Sequence, residues 1–211
     1  GSPQSTPRKV PGIGLETNVI VRKWVHRFAH TENDRVERAL NRGEPFRSLV
    51  QKLLQKEGLP PELFYLGLIE SGYHTEITSS AKAVGPWQFM QRTGERFGLK
   101  TTYYVDERKD PNRATQAAAR YLAELYELFE SWPLALAGYN AGETRVLSAM
   151  KKGKTRDFWV LVKKRLLPQE TMDYVPKFLA TVIVAKKPEK YGVKVTRKSE
   201  FVDRVLVKVP A

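Results

Sequence analysis

Glu70 closes an apolar run, Leu63-Phe64-Tyr65-Leu66-Gly67-Leu68-Ile69, and is followed at once by Ser71-Gly72. A carboxylate carried on such a run is partly withdrawn from water. That withdrawal disfavours the charged form and raises the pKa. A carboxylic acid that keeps its proton near neutral pH can protonate a leaving oxygen, the task of the general acid in glycoside cleavage. Taken alone, the stretch reads more readily as a solvated glutamate at a helix C-terminus, because perturbed acids are rarer than surface ones, and the rest of the chain reverses that order.

Three further segments carry residue types that a polysaccharide site needs. Ser79 to Met90 contains Gly85-Pro86-Trp87-Gln88-Phe89-Met90. The Gln88 amide can both donate to and accept from sugar amides and hydroxyls, and Gly85 permits close approach of the backbone. Ala137-Gly138-Tyr139-Asn140-Ala141-Gly142 puts a tyrosine hydroxyl at the end of an apolar helix, and Glu170 to Pro176 adds Glu170 and Tyr174. Each has a plain structural reading. Tyr139 reads as a core tyrosine with a satisfied hydroxyl, Trp87 as packing, and Glu170 as a first-turn glutamate favoured by the helix dipole. Their order and spacing together carry more than any one of them.

Together with Leu59-Pro60-Pro61-Glu62-Leu63, these segments resemble the catalytic domain of the soluble-type (SLT) lytic transglycosylases, a lysozyme-like family. They are most similar to its lytic murein transglycosylase D subgroup. The resemblance runs from Arg22 to Tyr191. It implies a mainly α, lysozyme-like helical domain with a cleft, acting on peptidoglycan glycan strands at the β-1,4 bond between N-acetylmuramic acid and N-acetylglucosamine. Glu70 matches the single catalytic acid/base. Ser79, Gln88, Tyr139, Glu170 and Tyr174 match substrate-contacting positions, and Ser71 matches a structural one. No cofactor or metal is implied. The implied product carries a 1,6-anhydro end. The alternative is a lysozyme reaction, in which water takes the place of the sugar hydroxyl, on ordinary or deacetylated peptidoglycan. A second carboxylate would favour that outcome, and Glu76, Glu95, Asp106 and Glu170 are the candidates. The chain departs from the family pattern at Pro86, which removes a backbone N–H, and shows no C-terminal wall-binding repeats.

The elements that must position these residues are helical. Apolar positions at 20, 21, 24, 25 and 28 predict a helix over Val19 to His30, followed by Asn33 to Asn41 and by Phe46 to Glu57. Pro60-Pro61 opens the helix that carries Glu70, since proline suits a first turn. Residues 72–90 read as an irregular loop long enough to line a cleft. Beyond it, Gln91 to Phe97 reads as a short helix, and Asp110-Pro111 caps one that runs to Phe129. Pro133 to Asn140 is almost wholly apolar and so central. Glu143 to Met150, Asp157 to Leu167 and Gln169 to Lys186 follow, the last with Pro176 predicting a kink or break. Val205, Val207 and Val209 alternate as in a strand, with Tyr191 to Val195 as the partner of a small C-terminal β-hairpin. The domain organisation expected is a mobile leader over 1–18, a catalytic domain over 19–190 and a basic tail over 191–211.

Composition bounds the function further. Cysteine is absent, which excludes disulfides and thiolate chemistry. His26, His30 and His74 do not make a metal set. No apolar stretch approaches the ~20 residues of a membrane span. The formal charge is +13, distributed as +5 over 1–58, −3 over 59–144 and +11 over 145–211. The segment that holds Glu70 is therefore the least basic, and the cationic flanks suit an anionic polymer such as cell wall. They carry no nucleic-acid recognition motif, so no nucleic-acid partner is expected. Gly1-Ser2 reads as a cloning remnant. The expectation is a monomer of the periplasm or cell envelope, or a secreted protein, whose signal peptide has been removed.

Overall fold

The computed structural model describes residues 10–196, and ten α-helices account for most of them. They are α1 Val19–Ala29, α2 Asn33–Gly43, α3 Arg47–Lys56, α4 Phe64–Ser71, α5 Gln91–Arg96, α6 Pro111–Phe129, α7 Trp132–Ala141, α8 Glu143–Gly153, α9 Phe158–Lys163 and α10 Gln169–Lys186. No strand forms among the described residues. Isolated antiparallel bridges join Thr78 to Val84, Val84 to Phe89 and Thr101 to Asp106. The fold is mainly α, as the apolar periodicities predict.

The helix that ends at Glu70-Ser71 is apolar on every side, and the molecule buries it accordingly. Phe64, Tyr65, Leu66, Gly67 and Leu68 are all buried. Its start is a 3-10 turn over Pro61–Leu63, where the prolines suit the missing donors of a first turn. Gly72 stops it in the left-handed conformation at φ +59°, and the Gly72 N–H still donates to the Leu68 carbonyl at 2.9 Å. Tyr73 then folds back beneath the helix. Its ring stacks on Phe64 (5.0 Å between centroids) and Phe46 (5.7 Å), and its hydroxyl donates to the Phe64 carbonyl at 2.9 Å. Gly43 and Gly67 leave the room for that ring: a Cβ on either would lie under 3 Å from it.

α10 lies against α1, α4 and α7, and α6 packs on α7 and α3. α7 is the central element, with Leu134 to Gly138 all buried. The small side chains Ala117, Ala118 and Gly138 let α6 and α7 approach closely, and a Cβ on Gly138 would meet the Phe129 ring at 2.8 Å.

Several sequence expectations change on folding. α10 runs unbroken through Pro176. The helix expected to reach Leu167 stops at Lys163. Arg165 adopts φ +53°, which turns Leu166 and Leu167 inward, with Leu166 against Gly153 and Leu167 buried. Of the leader, residues 10–18 lie along the body. The Val10 N–H donates to the Gly58 carbonyl at 3.3 Å, the Trp132 indole donates to the Pro11 carbonyl at 2.8 Å, and Ile13 and Leu15 pack on the core. Residues 193–196 form no strand, a correction to the expected hairpin partner. Their backbone is instead held by α2 side chains: Lys194 N–H donates to Glu37 at 2.8 Å and Thr196 N–H to Asn41 at 2.7 Å. Val205, Val207 and Val209 lie outside the described residues.

The loop after α4 is braced from behind. Val84 and Phe89 exchange backbone hydrogen bonds at 3.0 and 3.1 Å. Behind them, Arg108 is buried, held by Asp106 at 2.8 and 2.7 Å, and donates to the Phe89 carbonyl at 3.2 Å. Gly85 sits at φ +81°, where a Cβ would come within 1.9 Å of the Arg108 carbonyl oxygen. Gly85→Ala must therefore move one of two braced backbones. We expect a loss of about 2 kcal/mol or more, seen as a fall of about 4–8 °C in melting temperature by calorimetry. An unchanged melting temperature would show that the two backbones are not in contact.

Candidate active site

Glu70 lies in the last turn of α4, where the helix reaches a pocket of about 410 Å³. The apolar face of the helix keeps it partly buried, and the Tyr174 hydroxyl, from the buried face of α10, donates to its Oε1. Burial pushes the Glu70 carboxyl up from 4.5 to about 7. The Tyr174 hydrogen bond opposes that rise by favouring the carboxylate, and the negative charge of Glu170 reinforces it. The outcome is a carboxyl that is half-protonated near neutral pH, poised to give a proton and then to take one. Burial, with Glu70 close by, also holds the Tyr174 and Tyr139 hydroxyls protonated, so both stay neutral and keep a proton to donate.

The remaining candidates fall into two groups. Tyr139, Tyr174 and Glu170 converge on Glu70. Tyr139 arrives at the end of buried α7, and its hydroxyl donates to the Trp87 carbonyl at 2.8 Å. Glu170 is exposed in the first turn of α10, where the Asn140 amide donates to it at 3.1 Å. Ser79 and Gln88 do not hydrogen-bond Glu70. Ser79 closes its own turn, its Oγ accepting from the Ala83 N–H at 3.0 Å. Gln88 sits at φ +50° and donates to the Gly85 carbonyl at 2.8 Å, which leaves its Oε1 without a hydrogen-bond partner among the described residues. Trp87 is fully buried, with its indole donating to Thr115 at 2.9 Å, and so is packing rather than a sugar platform. Ser71 is structural: its hydroxyl donates to the Pro86 carbonyl at 2.8 Å, fastening the loop to the end of α4. Pro86 therefore lacks an N–H but contributes the acceptor that holds this wall.

Four carboxylates were candidates for a partner to Glu70. Asp106 is committed to Arg108, Glu76 to Lys109 at 3.0 Å, and Glu95 to Gln91 at 2.9 Å. Glu170 is the one of the four whose charge acts on Glu70.

The family model described as "Transglycosylase SLT domain" matches residues 48–162, more than half of the chain. The chain belongs to this family. The chain is also 35% identical over 202 residues to the membrane-bound lytic murein transglycosylase D of Escherichia coli strain K12, covering 93% of this chain and 43% of that protein. It is 32% identical over 116 residues to a putative tributyltin chloride resistance protein of Alteromonas sp. strain M-1, over 54% of this chain and 56% of the relative. The chain thus spans less than half the length of the E. coli relative. Among solved structures, the 70 kDa soluble lytic transglycosylase of E. coli aligns with a TM-score of 0.60 at 20% identity, over 77% of this chain and 28% of that one. An inactive glutamate-to-glutamine mutant of the Pseudomonas aeruginosa lytic transglycosylase Slt aligns with a TM-score of 0.57 at 23% identity, over 70% and 25%. At these identities the structures establish the fold, which is lysozyme-like.

Two features of the site escaped the sequence. Asn140 joins two walls, donating to Glu170 and accepting from the Thr171 hydroxyl at 2.8 Å. Its place directly after Tyr139, at the end of an apolar helix, was the available signal. The pocket beside Glu70 is lined by Arg35, Arg38 and Arg42 of α2. Their i, i+3, i+7 spacing marks one helix face and was legible in the chain.

The raised Glu70 pKa has a consequence for stability with a definite sign. Below the unfolded value of 4.5 both states are protonated and nothing is lost. As pH rises, the unfolded chain ionises first and is favoured, and the penalty is complete above the folded value of about 7. Glu70→Gln removes the titrating group while keeping an acceptor for Tyr174. Its stability relative to the unsubstituted chain should therefore improve by up to about 3 kcal/mol between pH 4 and pH 8, as read by urea unfolding at the two pH values. A difference independent of pH would show that Glu70 titrates as an ordinary carboxylate.

Proposed function

We propose that this domain cleaves the β-1,4 bond between N-acetylmuramic acid and N-acetylglucosamine in peptidoglycan, with Glu70 as its single acid/base and 1,6-anhydro ends as its product. The observation that carries the reading is the Glu70 carboxyl itself, half-protonated near neutral pH at a pocket and hydrogen-bonded by Tyr174. Membership of the SLT family and the murein-cleaving activity in the name of the E. coli relative support the substrate class. The catalytic unit proposed is residues 19–190, and its place of action is the cell envelope. No helix among the described residues is long and apolar enough to cross a membrane.

The reaction balances without water. Protonated Glu70 gives its proton to the glycosidic oxygen as the C1–O bond breaks. The N-acetyl carbonyl oxygen of the same muramic acid residue bonds to C1 and holds the developing positive charge. The Glu70 carboxylate then takes the proton from the C6 hydroxyl, O6 attacks C1, and the transient bond from the N-acetyl oxygen is released. Glu70 ends protonated, ready for another cycle. The hydroxyl competes with water because it is tethered to the reacting sugar, and such proximity can be worth ~7–11 kcal/mol. In this scheme Tyr174 steadies the carboxylate form, while Tyr139 and Gln88 with its free Oε1 orient the sugars. Ser79 shapes the loop that carries Gln88.

Hydrolysis is the second reading, and Glu170 is what favours it. A second carboxylate that faces Glu70 electrostatically and sits exposed could activate a water. The products separate the two. Mass spectrometry of digested peptidoglycan should show anhydro ends, and reducing ends alone would make the domain a muramidase. Glu70→Gln should lower wall clearing by a factor of about 1,000 or more while the far-ultraviolet circular dichroism stays unchanged. Full activity in that variant would remove Glu70 from the chemistry.

A further inference from the structure

We propose that the pocket between α2 and α10, beside Glu70, binds a carboxylate on the peptide branch of the substrate strand, with Arg38 as its principal ligand. This rests on the function proposed above and adds to it what the site recognises besides sugar.

Arg35, Arg38 and Arg42 lie along one face of α2, while Val36, Leu40 and Gly43 occupy the buried face. Their three guanidiniums are not equivalent. Arg42 donates to the Gly72 carbonyl at 2.9 Å, which ties α2 to the end of the helix that carries Glu70. Arg35 is paired with Glu32. Arg38, between them in the sequence, is exposed and makes no hydrogen bond or ion pair with any described residue. Across the pocket Lys177 adds a further positive charge, its Nζ lying 4.6 Å from the centre of the Trp24 ring. Among the described residues that line the pocket the only acid is Glu70, which burial leaves no more than half-ionised at neutral pH. The pocket is therefore a concave surface, opening on the proposed cleavage site, in which Arg38 and Lys177 have no ion-pair partner among the described residues.

The sugars of a glycan strand are neutral apart from the lactyl group, and that group is an amide wherever a peptide is attached. The anions of an intact strand are the peptide carboxylates. A guanidinium presents its N–H groups in a planar fork that matches a carboxylate with two parallel hydrogen bonds. An unpaired arginine in a pocket next to the scissile bond suits that ligand better than it suits a sugar hydroxyl. This differs from general attraction by the basic flanks, which acts at long range and is indifferent to which cation is removed.

The test compares two substrates: glycan strands that carry their peptides, and the same strands after an amidase has removed them and exposed the lactyl carboxylate. For each protein the ratio of kcat/KM on the first to kcat/KM on the second is measured. In Arg38→Gln that ratio should fall by about 10-fold, the loss of one charge-assisted contact. In Lys187→Gln, an exposed cation outside the pocket, it should not change. An unchanged ratio in Arg38→Gln, or a loss larger on the stripped strands, would overturn the assignment, the latter by making the lactyl group the ligand. Binding of peptide-bearing strands to Glu70→Gln with and without Arg38→Gln, by calorimetry, reads the pocket independently of turnover. If the wild-type chain cleaves neither substrate, the function proposed above fails; weaker binding in the double variant would still support the pocket.

Discussion

The withdrawal of one carboxyl group from water governs the rest of this site. An ionised carboxylate without solvent is costly, and the group relieves the cost by keeping its proton. Burial alone would leave Glu70 a permanent acid, unable to serve as a base. The Tyr174 hydroxyl acts in the opposite direction, since its hydrogen bond is worth more to the carboxylate than to the neutral acid. The pKa near 7 is the balance of these opposed effects. α4 must be apolar on all sides to create the first, and α10 must cross its end closely to deliver the second.

The loop opposite Glu70 is held by its own backbone carbonyls. Ser71 donates to the Pro86 carbonyl, Tyr139 to that of Trp87 and Arg108 to that of Phe89, so three separate elements grip three nearly consecutive residues. The Trp87 ring is anchored through Thr115 of α6. With the carbonyls of 86, 87 and 89 committed, Gln88 in the left-handed conformation retains a side-chain oxygen that has no hydrogen-bond partner among the described residues. In the proposed reaction, a wall fixed at so many points needs little reorganisation when charge develops at the scissile bond, which is the condition for electrostatic stabilisation of a transition state. The same tethers give Tyr139 two parts: its ring packs on the core and its hydroxyl is a strut beneath the loop.

Much of the fold was legible in the chain because helices announce themselves by period and by caps. Asn18, Asp110 and Asp157 cap α1, α6 and α9 through their side chains, and Gly72 ends α4. What was not legible depended on contacts distant in sequence. Nothing local foretells that residues 10–18 bind Trp132 and Gly58, or that 193–196 lie on α2 rather than on a strand. Pro176 did not end its helix, because buried α10 is fixed by packing on three neighbours and local preference yields to that. For the site, the apolar approach to Glu70 signalled its burial, but the Tyr174 contact spans 104 residues and could be expected only from the family resemblance. The arginine face of α2 was visible in its spacing, yet its meaning came only from the pocket that it lines.

The proposed chemistry depends on the protonation state of one residue. Carbon-13 NMR titration of the glutamate side-chain carboxyls, with Glu70→Gln to assign the resonance, reads it directly. A midpoint near 7 for Glu70 is the predicted result, and a midpoint near the ordinary glutamate value of about 4.3 would contradict the central claim.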